Sequence, residues 1–416
     1  MKILLILPVR IMPSNTGGSV HMFSLSKAWA VSGHIVHVLV QKSERKQRNI
    51  ERIGRLTIHR LPTTMSPMTE VRPSSEFFIN LVKIPMTLIF AFAYSLYIMR
   101  KHNFDLIFVR YRPPFSFISL MLSILTKKPM IIKFVGTAVY QYRNYPFIKK
   151  VFNFLVKWSY FSIVDNSYMA NTFAEEIPKQ KLKVIPPPVD IDLFKTQSFS
   201  EAIGFEKSFV ILYVSSFRKV EGVIKFILAS NIVIQKIPNT KFILIGDGEL
   251  KSSAMKLAEQ LGLKEEVLFL NSVNHKTIPL FLARADVLVA LYHPSYRAIP
   301  IKILEYGAAK KPIITTENVA SIFEQEITDF QATENFRVVN YDVKKIANAI
   351  ITLYKNKELR ETIAENMYKI TAERFSLKTI AEKYIDLFQE TIIQKEGKRT
   401  LKKKFLLPKP DQYSVC

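Results

Sequence analysis

Apolar runs alternate with helix-period stretches along almost the whole chain, and this alternation is the strongest constraint on its fold. Strand-like runs cover residues 2–7, 35–40, 106–109, 130–135 and 161–164. They resume at 209–214, 242–245, 267–270, 287–291, 312–315 and 337–339. Continuous apolar runs suit strands buried on both faces, and intervening helices would cover those faces. The pattern predicts βαβ units and parallel sheets. Between the two series lies Val184-Ile-Pro-Pro-Pro-Val-Asp-Ile-Asp-Leu-Phe194. Three prolines do not fit a helix interior or a central strand, so a domain border is placed near residue 195.

The expected fold class is therefore α/β, with two doubly wound Rossmann-like domains facing a cleft. They span 1–195 and 196–375, and a crossover helix at 376–395 and a basic tail at 396–416 complete the chain. Helical periodicity covers 343–356 and 358–394. A chain of 416 residues is too long for one ordinary core and suits two.

Charge narrows the partners. There are 59 Lys and Arg against 35 Asp and Glu, a formal charge of +24, which implies an anionic partner. No RNP, zinc-finger or basic-zipper pattern is present, and no aromatic-basic platform, so nucleic acid is not expected. The single cysteine, Cys416, permits no intrachain disulfide and points to a reducing, cytoplasmic setting. The apolar run 2–7 stops at Pro8 without a small-residue cleavage site and reads as a buried first strand, not a signal peptide.

The stretch 77–99 is apolar nearly all round, but Lys83 and Pro85 interrupt it. Its uncharged part after Pro85 is shorter than the ~20 residues that span a bilayer. A helix packed partly in the core and partly against a membrane surface is expected. The basic run Lys398-Arg-Thr-Leu-Lys-Lys-Lys404 meets either solvent or anionic lipid. Together these point to a peripheral membrane protein on an anionic surface.

Several motifs carry possible chemistry. Pro13-Ser-Asn-Thr-Gly-Gly-Ser19 joins the first strand to the first helix, and Gly17 and Gly18 allow close backbone approach at a helix start. Gly246-Asp-Gly248 comes directly after a strand, but Lys251 stands where a dinucleotide fingerprint needs its third glycine, so the turn reads as architectural. Asp190-Ile-Asp192 lies in the proline-rich boundary and is not read as a metal site. His34 and His37 read as structural, and nothing in the sequence selects His275 or His293 for a role.

The segment Ala298-Ile-Pro-Ile-Lys-Ile-Leu-Glu-Tyr-Gly-Ala-Ala-Lys-Lys-Pro-Ile-Ile314, downstream of the Gly246-Asp-Gly248 turn, resembles the donor-binding half of family-four glycosyltransferases of GT-B architecture. The resemblance spans about residues 1–390. It implies transfer of a sugar from a nucleotide-sugar to a glycan or lipid-linked acceptor, with retention, without metal or other cofactor. In Pro300-Ile-Lys-Ile-Leu-Glu-Tyr306 it implies that Glu305 accepts both ribose hydroxyls, that the helix start near Ile301 faces the diphosphate, and that Lys302 adds charge. Ser216 and Gly246 would border the same donor. Gly17, Gly18 and Gly136 would line the diphosphate and acceptor side, with Arg110 and Arg112 meeting a phosphorylated acceptor.

Departures from the family pattern are specific. Arg297 stands eight positions before Glu305, where many members carry a carboxylate. In Tyr213-Val-Ser-Ser-Phe-Arg-Lys-Val-Glu-Gly222, Ser216 and Glu221 replace the usual arginine and lysine, and Val135 replaces a histidine. A carboxylate beside a diphosphate is unfavourable by at least ~1 kcal/mol at a half-exposed site. No catalytic residue is assigned; Arg297, Arg218 and Lys219 are the candidates for the missing positive charge. The alternative is an inactive GT-B scaffold or partner subunit of a transferase complex.

Overall fold

A computed structural model describes residues 1–10, 17–42, 46–61, 75–136, 146–195 and 208–406. Within them the chain forms two sheets. The first contains β1 (Lys2–Arg10), β2 (Ile35–Gln41), β3 (Ile50–Ile53), β4 (Leu56–Leu61), β5 (Leu106–Arg110), β6 (Met130–Lys133), β7 (Phe161–Val164) and β8 (Leu182–Val184). Its order is β3-β4-β2-β1-β5-β6-β7-β8, parallel except for the β3–β4 pair. The second contains β9 (Phe209–Ser215), β10 (Thr240–Gly246), β11 (Val267–Leu270), β12 (Val287–Ala290), β13 (Ile313–Thr316) and β14 (Arg337–Val339). Its order is β11-β10-β9-β12-β13-β14, all parallel. Strand order reverses between β1 and β5 and again between β9 and β12. Ligands of doubly wound sheets bind at the carboxyl ends beside such reversals.

Each sheet is sandwiched. On the first, α2 (Ser75–His102), α3 (Pro113–Thr126) and α4 (Pro146–Trp158) cover one face. On the opposite face, α1 (Gly17–Val31) packs with the C-terminal helix around Trp29, whose ring meets Tyr384 at 5.5 Å and Phe388 at 5.1 Å. The apolar strand runs fill both cores, as expected of strands covered on both sides.

The long helical stretch expected over 358–394 is two helices, Lys357–Phe375 and a C-terminal one. They break at Ser376, where Val189 pairs with Ser376 and the chain crosses back to the first domain. The C-terminal helix, Leu377–Leu406, continues through the basic run expected as a tail. Lys, Arg and Leu are good helix formers, and the first proline downstream is Pro408. The last ten residues lie outside the described residues. No helix among the described residues is long and apolar enough to cross a membrane.

Candidate active site

The second domain supplies the site where β9 and β12 part. Gly246 and Gly248 end β10 with φ of +149° and +152°, and an added Cβ would lie 1.8 Å from the Ser215 carbonyl oxygen and 2.0 Å from that of Ser216. Only glycine lets the two strand ends approach this closely. The Gly-Asp-Gly turn is architectural in this sense, and it presses against Ser216.

Glu221 sits at the centre of this end of the sheet, 3% exposed. It accepts hydrogen bonds from the Ser216 amide at 2.6 Å, from Ser215 Oγ and from the Arg218 guanidinium at 3.1 Å. Lys302 Nζ lies 3.6 Å from it and donates to the Val214 carbonyl at 2.8 Å. Burial pushes the Glu221 carboxyl up, but Lys302, Ser215 and Arg218 together outweigh it and hold it below the usual carboxylate range. Burial pushes Lys302 down despite the pull of Glu221. The charge reversal at Glu221 is thus answered locally: the acid collects Lys302 and Arg218, two of the cations anticipated for a diphosphate.

Glu305 lies in the Ile301–Ala308 helix, which starts directly after Pro300. Proline fixes the entry dihedral and removes a donor that the first turn would leave unpaired. The carboxylate is 8% exposed, and its Oε1 takes a 2.7 Å hydrogen bond from His275 Nε2. His21 Nε2, from α1 in the first domain, stands 3.8 Å from the same oxygen, and among the described residues it has no hydrogen-bond partner. Burial would lower His275, but the bond to Glu305 outweighs it and raises the pKa. Burial drives His21 down to about 4, against the pull of Glu305. Glu305 therefore draws His275 toward its protonated form, while burial holds His21 toward the neutral one. With Oε1 committed to His275, Oε2 is the oxygen without a hydrogen-bond partner among the described residues.

The first domain presents Arg110 and Lys133 at the carboxyl ends of β5 and β6. Lys133 is buried and pairs with Asp165 at 2.8 Å, with further bonds to Tyr384 Oη at 2.7 Å and the Ile185 carbonyl at 3.2 Å. Arg110 is lowered by burial, offset by the charge of Asp165. Arg112 caps α3, its amide donating to Ser116 Oγ at 3.1 Å. Gly17 and Gly18 open α1, while positions 11–16 of their loop lie outside the described residues. Gly136 faces the other domain, where an added Cβ would be 3.7 Å from Ala298 Cβ.

Two further contacts join the domains: Asn166 Nδ2 donates to the Arg297 carbonyl at 2.8 Å, and the Ser167 amide donates to Glu326. The structure thus brings Ser216, Arg218 and Lys302 together on Glu221, and sets Glu305 against His275 and His21. Arg297 turns its guanidinium back onto the carbonyls of Pro294 and Tyr296. Lys219 is exposed, and its amide is held by Glu249 at 3.0 Å.

Sequence reasoning passed over His21 and left His275 without a role. His21 lies one helical turn after Gly17 on the helix that the glycine pair opens, which was the available signal. A cavity of about 1470 Å³ lies beside the site, between α1, residues 190–193, residues 274–276 and the C-terminal helix. His275 lines it; Glu305 does not. Among the described residues no group of three or more His, Cys, Asp or Glu is placed to hold a metal ion.

Two family models match the chain, "Glycosyltransferase Family 4" over residues 15–193 and "Glycosyl transferases group 1" over residues 195–370. The chain belongs to the family-four glycosyltransferases with the GT-B fold. Curated relatives include the alpha-D-kanosaminyltransferase of Streptomyces kanamyceticus, 25% identical over 46% of this chain and 48% of that protein. The N-acetyl-alpha-D-glucosaminyl L-malate synthase of Bacillus anthracis is 21% identical over 71% of this chain and 77% of that protein. The chain spans about half the length of the first curated relatives it matches. Among solved structures, Anabaena Alr3699/HepE in complex with UDP and glucose has a TM-score of 0.71 at 17% identity, covering 94% of this chain and all of that one. That likeness establishes the fold.

Proposed function

We propose that this protein transfers a sugar, most simply a hexose, from a nucleotide-sugar to a glycan or lipid-linked acceptor at an anionic membrane surface, with retention and without a metal. The observation that carries the reading is Glu305: a nearly buried carboxylate, fixed through Oε1 by His275, with Oε2 left to accept a ribose hydroxyl. The unpartnered Nε2 of His21, contributed by the other domain, offers a second polar group to the same ligand. Buried polar groups without partners are costly, which favours a ligand that satisfies them.

The leaving diphosphate needs positive charge and backbone N–H groups. Lys302 and the first turn of its helix supply them in this reading, with Arg218 reaching in from the β9 end. Glu221 holds the Lys302 ammonium in place and offsets part of its charge. The acceptor enters over the first domain, past Arg110 and Arg112. Contact between the domains excludes water from the donor and limits its hydrolysis.

Relatives support the reading. One is the UDP-Gal:alpha-D-GlcNAc-diphosphoundecaprenol alpha-1,3-galactosyltransferase of Escherichia coli, 25% identical over 53% of this chain and 57% of that protein. Calorimetric titration with UDP-, GDP- and dTDP-sugars tests the donor site. One class binds the wild type, and Glu305→Ala weakens it by about tenfold or more, the loss of a charge-assisted hydrogen bond. Binding of none of them sinks the transferase reading and leaves the scaffold.

A further inference from the structure

Helices α2, α3 and α4 pack side by side over one face of the first sheet. Their inner faces fill the core, and their outer faces ought to be polar. They are not. On α2 the outward stripe carries Met86, Ile89, Phe90 and Tyr97, then ends in Arg100 and Lys101. On α3 it carries Met121, Ile124 and Leu125, at i, i+3 and i+4. On α4 it reads Phe147, Lys150, Phe154, Lys157, Trp158, with Phe147 74% exposed and Trp158 50%. Phe117 of α3 and Phe154 of α4 stack at 6.0 Å, joining two of the stripes. Ten of the seventeen large hydrophobic residues exposed among the described residues fall on these three helices, so the apolar surface is concentrated rather than scattered.

Charge identifies the occupant. The three helices themselves hold 6 Lys and Arg (three on α2, none on α3, three on α4) against a single Glu. Protein interfaces deplete lysine from their apolar centres. Here lysines alternate with aromatic rings along one helix face, which is the composition of a helix lying in a lipid–water interface. Tyr and Trp with flanking cations are anchors at headgroup depth. Among the described residues none of the three helices is long and apolar enough to cross a membrane.

We propose that the joint face of α2, α3 and α4 lies flat on an anionic membrane leaflet. The exposed rings enter the headgroup region, and Arg100, Lys101, Lys150 and Lys157 pair with lipid phosphates. This specifies the membrane contact in the proposed function, on which it rests. It also orients the molecule: α4 comes after the carboxyl end of β6, so Phe147 lies toward the cleft end of the sheet, where an acceptor embedded in the leaflet would enter.

The test uses the full chain with vesicles of phosphatidylcholine alone and of phosphatidylcholine mixed with phosphatidylglycerol, at low salt and without nucleotide. Sedimentation reads binding. The two tryptophans make emission specific, because Trp29 is wholly buried and Trp158 is half exposed. Pelleting and a blue shift of Trp158 are expected with the anionic vesicles. Lys150→Glu/Lys157→Glu should weaken the partitioning by more than about tenfold. A second-domain control, Lys344→Glu/Lys345→Glu, should match the wild type. Phe154→Ser should bind but lose part of the blue shift.

Absence of pelleting with anionic vesicles overturns the proposal. So does equal binding to neutral vesicles, equal loss in the control, or a dimer that Phe154→Ser dissolves in a chain that ignores vesicles. Donor titration of the same variants is a separate reading: lost donor binding with intact pelleting faults the transferase assignment, not this face.

Discussion

Lys302 and Glu221 form a buried ion pair at the end of β9, Nζ to Oε1 3.6 Å, in a position where the sequence reads only as a charge reversal. Breaking such a pair from one side leaves a buried charge without its partner, which costs about 3–5 kcal/mol. Lys302 keeps the Val214 carbonyl, so Glu221→Gln should fall near the low end, about 3 kcal/mol. The measurement is the urea midpoint at unchanged slope. Adding Lys302→Met should restore much of the loss, since removing both charges removes the imbalance. If the two changes simply add, the pair is not a coupled unit.

His275 and Glu305 make the stability of the site depend on pH in a defined direction. The folded pKa of His275 lies above its unfolded value of 6.5. Its contribution is therefore fully present below pH 6.5 and is lost as pH rises through the folded value. Wild type should lose stability across that window, by up to ~1 kcal/mol for a partly buried charge-assisted bond, while His275→Gln should be flatter. Parallel curves for the two proteins from pH 6 to 9 would exclude the proton on His275.

Much of this fold is legible because strands buried on both faces are written as unbroken apolar runs, as in Phe242-Ile-Leu-Ile245. Three strands escape that signal. β3, Ile-Glu-Arg-Ile, is an edge strand with an exposed face; β4 mixes Thr57, His59 and Arg60 into its apolar residues; and β8 is three residues long with a central lysine. The site divides in the same way. Glu305 is legible because Pro300, Lys302 and Glu305 share one helix start. His275 is not, because it lies 30 residues away on a single 3-10 turn, and only the packing of that turn against the helix brings the two together. The role of Glu221 is likewise a tertiary fact: its partners come from β9 and from a helix 81 positions further along the chain.

Gly246 provides a steric test of how β10 meets β9. An alanine Cβ there would overlap the Ser215 carbonyl oxygen, a backbone atom that cannot swing aside, and φ of +149° disfavours any L side chain. Gly246→Ala should destabilise the second domain by more than ~2 kcal/mol and displace Ser216 and Glu221 with it. Thermal unfolding reads the first effect. A stability within ~0.5 kcal/mol of wild type would show that the strand ends are not so close.

Tyr384 ties the C-terminal helix to the first domain by its bond with Lys133. Removing the hydroxyl leaves Lys133 its ion pair with Asp165, so Tyr384→Phe should cost about 1.5–3 kcal/mol, the worth of a hydrogen bond to a charged group. Lys133→Met should cost more, because it leaves Asp165 unpaired beside Arg110 and a buried tyrosine hydroxyl without its partner. Equal losses would mean that the Asp165 contact carries little.

The first domain also holds histidines that resist protonation. His37 Nδ1 and His59 Nε2 are 2.9 Å apart, and His59 Nδ1 meets Tyr94 Oη at 2.8 Å, so the buried chain needs neutral rings to share its protons. Burial, and then neighbouring positive groups, lowers His37 to about 3 and His59 to about 4; His21 is also near 4. Below pH 6.5 the unfolded chain binds protons that the folded one refuses. The contribution of these neutral histidines is therefore complete above pH 6.5 and falls steadily toward pH 4, opposite in sign to that of His275. His21 alone, fully buried, should account for a loss on the order of 2 kcal/mol at pH 4.5. Both tryptophans lie in this domain, so denaturant titration tracked by their emission reports its stability directly. His37→Gln/His59→Gln removes two of the first-domain histidines whose protonation burial resists, beside His21, His34 and His102, and should lose clearly less stability than wild type between pH 7 and 4.5. An undiminished acid loss in that variant would place the sensitivity elsewhere in the chain.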